Sequence, residues 1–210
     1  MNLPNKITTA RMVLAVIIIG LLLFPYQLFN ITVPYIFGEV NSVYFAAFIL
    51  FLLASVSDFF DGYLARKHNL ITDYGKFMDP IADKLLVNGL LIILLVPHAT
   101  AAYGSNQLAM PVVAVLVMIA RDLIVDGLRL VAATKKIVMA ANIFGKIKTV
   151  LQMVAIGLFL LNDWPFSLLY GDKGYVSIIL IYLAALVSLL SGIIYIVQNI
   201  NVLRGEENEK

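Results

Sequence analysis

Five carboxylates, Asp58, Asp61, Asp73, Asp79 and Asp83, fall between Ser57 and Lys84, in a stretch flanked by the apolar runs FAAFILFLLASV and LLVNGLLIILLV. A charged side chain inside a membrane span costs about 2.5 kcal/mol or more at mid-span and is functional by default. On a helix, Asp58 and Asp61 share one face, one turn apart, with Gly62 next and Ala65 a turn further on. If a second helix starts near Gly75, then Gly75, Asp79 and Asp83 recur at intervals of four and also share a face. The link from Arg66 to Tyr74 is short, so the two helices should be antiparallel neighbours whose carboxylate faces meet. Four carboxylates crowded in low dielectric cannot all ionise unless something neutralises them. Hard divalent cations do so, and all-oxygen ligands suit magnesium or manganese better than zinc. The chain has no cysteine, and its two histidines, His68 and His98, are far apart. Gly62, Ala65 and Gly75 leave room beside the ions for a bulky ligand. The bland alternative pairs these acids with Arg66, Lys67, Lys76 and Lys84 as boundary charges, but it gives no reason for the accompanying Gly and Ala.

The elements that must carry these groups are membrane helices. Of 210 residues 61% are hydrophobic and 13% charged, with a mean hydropathy of +0.94, more apolar sequence than a soluble domain of this size needs. The expected class is an all-α polytopic membrane protein of one domain, residues 1–210, with six transmembrane helices. The expected spans are Met12–Phe29, Ser42–Arg66, Gly75–Pro97, Gln107–Ala133, Asn142–Asn162 and Tyr175–Ile200, each with enough apolar positions to cross a bilayer. Pro4 and Asn5 read as a turn or short surface helix, Thr8 or Thr9 as the cap of the first long helix, and Pro80 as a helix start or kink. The N-terminus lacks the pattern of a cleavable signal. Asn30–Asn41, Ala99–Asn106 and Asp163–Gly174 read as loops, and Asn201–Lys210 as a charged tail. Lys6, Arg11, Arg66, Lys67, Lys76, Arg129, Lys135, Lys136, Lys146, Lys148 and Arg204 fall on one side of these spans and Lys173 alone on the other. Both termini and the carboxylates therefore belong on the cytoplasmic side of the cell membrane. Trp164, Tyr170 and Tyr175 suit the outer interfacial belt. A net charge of +2 is too small to imply nucleic acid.

A second polar constellation is basic. Arg121 and Arg129 lie on the fourth span, Lys135 and Lys136 in the following turn, and Lys146 and Lys148 at the start of the fifth. Asp122 and Asp126 offset part of this charge, and Asp126 is spaced to pair with Arg129. Arg121 sits well inside its span and should face the protein interior or a cavity. One reading is an anion pocket for a phosphate; the other is topology signal plus attraction to anionic lipid. The segment from Gly145 to Thr149 is no P-loop, since Ala140 stands where the first Gly belongs and Ile147 where Ser or Thr belongs. His98 reads as interfacial, His68 as solvated, and Asn88 and Gln152 as interhelical hydrogen-bonding groups.

The spacing D-x-x-D-G-x-x-A-R, eight residues, then G-x-x-x-D-x-x-x-D is met at Asp58, Asp61, Gly62, Ala65, Arg66, Gly75, Asp79 and Asp83. It resembles the signature of the CDP-alcohol phosphatidyltransferases, which move a phosphatidyl-type group from a CDP-linked donor to an alcohol and release CMP. The resemblance implies two Mg2+ or Mn2+ ions on Asp58, Asp61, Asp79 and Asp83, with Asp83 also the candidate general base. It implies a CDP-diacylglycerol site at Gly62, Ala65, Arg66, Thr72 and Gly75, closed by Asn5 and Thr8. L-P-N-K-I-T-T-A-R at the N-terminus and F-G-K-I-K-T-V-L-Q-M look most like the branch whose acceptor is glycerol 3-phosphate. Arg121, Arg129, Lys135 and Lys148 would then hold the acceptor phosphate. Family resemblance also implies a homodimer embedded in membrane lipid. Inositol phosphate or serine as acceptor, or a divalent-cation channel or transporter, are the alternatives.

Overall fold

A computed structural model describes residues 3–36, 40–67, 72–101, 106–135, 143–170 and 174–200; the side chains of Leu3, Pro4, residues 59–67, Asp73, Lys76, His98 and Tyr170 lie outside this description. The chain is mostly helical. Its α-helices are α1 Leu3–Leu23, α2 Ser42–Lys67, α3 Asp73–Ile93, α4 Val112–Thr134, α5 Ile143–Leu160, α6 Ser167–Tyr170 and α7 Tyr175–Gln198. Among the described residues three helices are long and apolar enough to cross a membrane: α1 from Asn5, α5 and α7. In α2 the described side chains end at Asp58, and the stretch Ser42–Asp58 is apolar.

Helices overlap the expected spans, with their ends shifted, most of all in α1. The first helix begins at Leu3, so Thr8 and Thr9 lie inside it and are not its cap. The reason is a continuous buried face, Asn5, Thr8, Arg11, Ala15, Ile18 and Leu22, which recurs at helical intervals from the first turn onward. Its polar half points at the carboxylates and its apolar half at the core. The expected loop before α2 contains a small antiparallel ladder, Tyr35 opposite Asn41 and Ile36 opposite Val40. Asn41 then starts α2: its Oδ1 accepts from the Val43 amide at 2.9 Å, while its Nδ2 donates to the Ala101 carbonyl at 3.0 Å. Thr72 caps α3, its hydroxyl accepting from the Gly75 amide at 3.1 Å. Pro80 lies inside α3 rather than at its start.

The chain divides into two compact units. The first holds residues 1–110 and 156–175. There α1 packs against both α2 and α3, around Ala15, Ile18, Leu22, Ala47, Phe51, Leu90 and Leu94, each almost fully buried. Gly89 admits the Ile19 side chain, whose Cδ1 would lie 2.9 Å from a Cβ there. The end of α5 is tied into this unit where Gln107 donates to the Phe159 carbonyl at 2.6 Å and the Leu108 amide donates to Asn162 Oδ1 at 2.9 Å. The second unit holds residues 111–155 and 176–210. Its buried faces run along α4 through Met118, Val125 and Leu128 and along α7 through Ala184, Ser188, Ser191 and Tyr195.

Candidate functional site

Within the first unit the two halves of the aspartate motif lie on different helices. Asp58, Asp61, Gly62, Ala65 and Arg66 are on α2; Gly75, Asp79 and Asp83 are on α3. The side chains of Asp61, Gly62, Ala65 and Arg66 fall outside the described residues. What joins the two halves is α1, which sequence reasoning used only as a topology signal and a pocket lid. The Arg11 guanidinium pairs with Asp58 and lies 3.6 Å from Asp79 Oδ1. It is 1% exposed, whereas the two carboxylates are 45% and 51% exposed. A buried cation thus backs two acids that still present oxygens outward. Thr8 sits one turn before Arg11 and donates to Asp79 Oδ1 at 2.6 Å, which holds that carboxylate in one orientation. The signal for Arg11 was in the sequence: it follows Asn5 and Thr8 at helical spacing on the same face.

The first turn of α3 is fixed by the same helix. Thr72 donates its hydroxyl to Asn5 Oδ1 at 2.7 Å while capping Gly75, and Thr9 and Tyr74 share a hydrogen bond of 3.0 Å. A Cβ on Gly75 would sit 3.4 Å from both Asn5 Oδ1 and Thr72 Oγ1, and 3.9 Å from Asp79 Oδ2. Glycine there keeps a slot open beside the acid. Asn5, Thr8, Thr72, Gly75 and Asp79 therefore lie together. Asp83 follows Asp79 by one turn on α3 and is partly buried.

The donor set fits a hard divalent cation, because it is all oxygen, anionic, contributed by two helices and open on one side. Among the described residues no group of three or more acidic or histidine ligands converges, and Asp61 is outside that search.

In the second unit Arg121 pairs with its α4 neighbour Asp122 and with a residue of α7. Its Nη1 donates to Asp122 Oδ1 at 3.0 Å and its Nη2 to Ser191 Oγ at 2.6 Å. Lys148 reaches Asp122 from α5, with Nζ 2.8 and 2.6 Å from the two oxygens. Lys148 is 5% exposed. Asp122 thus clamps two cations side by side, and the trio keeps one net positive charge. Gly192 makes room for this arrangement, since a Cβ there would come within 2.8 Å of Arg121 Cγ. The other expected acceptor residues are placed elsewhere. Arg129 is two turns along α4, its Nε donating to Tyr195 Oη at 3.1 Å and its guanidinium 5.5 Å from that ring. Lys135 is the exposed C-cap of α4. Lys136, Lys173 and His68 lie outside the described residues, as does the tail from Asn201. Gln152, expected to bond between helices, is 1% exposed and its Nε2 has no hydrogen-bond partner.

The family profile described as CDP-alcohol phosphatidyltransferase matches residues 1–193. A Bacillus subtilis protein named CDP-diacylglycerol–glycerol-3-phosphate 3-phosphatidyltransferase is 45% identical over 169 residues, covering 80% of each chain. A protein of the same name from Rickettsia felis is 37% identical over 195 residues, 92% of this chain and 93% of its own. Another, from Rickettsia typhi, is 38% identical over 194 residues, 92% and 94% of the two chains. With the aspartate motif split over two helices around Arg11 and a profile match along nearly the whole sequence, the chain belongs to the CDP-alcohol phosphatidyltransferase family.

Proposed function

We propose that the protein transfers the phosphatidyl group of CDP-diacylglycerol to sn-glycerol 3-phosphate, giving phosphatidylglycerophosphate and CMP. The observation that carries this reading is the pairing of Asp58 with Asp79 through Arg11, in a chain similar along most of its length to proteins named for that reaction. Asp58, Asp61, Asp79 and Asp83 would hold divalent metal, magnesium or manganese. Such ions, when bound, neutralise a pyrophosphate and stabilise the departing nucleotide. Thr8 and Arg11 orient the carboxylates for that task. Asn5, Thr72 and Gly75, with Gly62, Ala65 and Arg66 of the motif, form the nucleotide end of the donor site. Asp83 takes the proton of the acceptor hydroxyl. A new bond then forms from that oxygen to the diacylglycerol-bearing phosphorus, and the bond from phosphorus to CMP breaks. Arg121 and Lys148 hold the acceptor phosphate by charge, with Arg129 and Lys135 assisting from further along α4. In this reading the chain spans the cell membrane six times, with the termini and the carboxylates facing the cytoplasm, and works as a homodimer.

The test is CMP release from CDP-diacylglycerol by the purified protein, with divalent ion or glycerol 3-phosphate withheld in turn. Release should need both. Cation flux through proteoliposomes, with no transferase activity toward any alcohol, would contradict the reading.

A further inference from the structure

Among the described residues of the second unit, three buried polar donors find no hydrogen-bond partner: Arg121 Nε, Gln152 Nε2 and Ser188 Oγ. A buried donor without a partner is costly, and native interiors retain few. These three are not scattered. On α5, Gly145, Lys148 and Gln152 follow one another at helical spacing and form a stripe. On α7, Ser188, Ser191, Gly192 and Tyr195 form another, all of them buried. The stripes approach each other beside Arg121, where a Cβ on Gly145 would lie 3.7 Å from Arg121 Nη2 and 3.8 Å from Ser191 Oγ. Gln152 is one turn from Lys148, and Ser188 is one turn from Ser191. Their exposures are 1% and 0%.

Charge supplies the second half of the argument. Arg121 and Lys148 share Asp122, so the trio offers only one net positive charge. A phosphate monoester near neutral pH carries between one and two negative charges and only acceptor oxygens. Neutral donors must therefore complete its coordination. The amide and hydroxyl that lack partners have the required chemistry.

We propose that Gln152 and Ser188 form the floor of the acceptor-phosphate pocket, donating neutral hydrogen bonds to phosphoryl oxygens that Arg121 and Lys148 hold by charge. This rests on the acceptor reading of the basic cluster and adds the residues that make the pocket prefer a phosphorylated alcohol. The floor also explains why the chain keeps two unsatisfied polar groups in a membrane-embedded interior, where an apolar pair would be more stable.

Gln152→Met and Ser188→Ala test it, each with the full-length protein in detergent. Three readouts are taken: inorganic phosphate binding by calorimetry, kinetics with glycerol 3-phosphate at saturating CDP-diacylglycerol, and thermal unfolding. Each variant should weaken phosphate and raise the glycerol 3-phosphate KM by about 3- to 10-fold, the range for one neutral hydrogen bond. The melting temperature should hold or rise, and kcat and the donor KM should stay within about twofold. Unchanged phosphate affinity and unchanged acceptor KM in stably folded variants would overturn the proposal and leave the pair as a packing feature or a site for a buried water. A wild-type protein that binds phosphate through these residues yet does not use glycerol 3-phosphate would support the floor and sink the acceptor reading separately.

Discussion

Replacing Arg11 by Gln removes the cation that backs Asp58 and Asp79 while keeping a polar side chain that can still donate a hydrogen bond. Breaking a fully buried ion pair costs about 3–5 kcal/mol, and an exposed pair contributes less than about 1 kcal/mol. Arg11 is 1% exposed but its acids are about half exposed, so solvent screens one side only. The expected loss is therefore intermediate, about 2 kcal/mol. For a chain of this size that is a fall of about 4–8 °C in melting temperature. Metal-free protein in detergent is the sample, and Trp164 fluorescence is a convenient signal. Divalent cation should recover most of the loss, because it can neutralise the two acids that lost their guanidinium. By the same balance the variant should bind magnesium more tightly than wild type, by up to about 30-fold. Arg11→Lys should fall between the two. Equal metal-free stability and equal magnesium affinity in Arg11→Gln and wild type would refute the reasoning, since the guanidinium would then carry no part of the charge balance.

Asp83→Asn should abolish turnover while keeping metal and donor binding better than Asp61→Asn does, as measured by calorimetry beside CMP release; near-normal turnover in Asp83→Asn would exclude it as the base. Arg121→Ala should raise the acceptor KM by about 10- to 100-fold with little change in donor KM, the loss expected for one charge-assisted contact of about 1.5–3 kcal/mol. Gly192→Ala should act in the same direction, because the added methyl would come within 2.8 Å of Arg121 Cγ and push the guanidinium off Ser191; unchanged acceptor kinetics would show that Arg121 works from another position.

The helices that carry the chemistry were legible because their pattern combines apolar length with carboxylates at helical spacing. Ser42–Arg66 as read from the sequence is α2 to within one residue. Among the described residues α1, α5 and α7 are long and apolar enough to cross a membrane. Arg11 was harder to read. Lysine and arginine near a span also report topology, and that explanation absorbed a residue whose face, shared with Asn5 and Thr8, marks it as part of the site. The pairing of Asp122 with Lys148 was not read for a different reason. Spacing along one helix reveals partners three or four residues away, whereas Lys148 arrives from α5 and Ser191 from α7. Such tertiary pairs leave no periodic trace. The unpartnered donors at Gln152 and Ser188 could be seen only once burial was known.

The central claim is the transfer itself, and product identity tests it most directly. Purified protein would be given CDP-diacylglycerol, a divalent cation and an equimolar mixture of glycerol 3-phosphate, inositol phosphate and serine, and the lipid products identified by mass spectrometry. Phosphatidylglycerophosphate should be the dominant product, formed in step with CMP. Dominant phosphatidylserine or phosphatidylinositol phosphate, or no lipid product while the protein is folded and binds CDP-diacylglycerol, would contradict it.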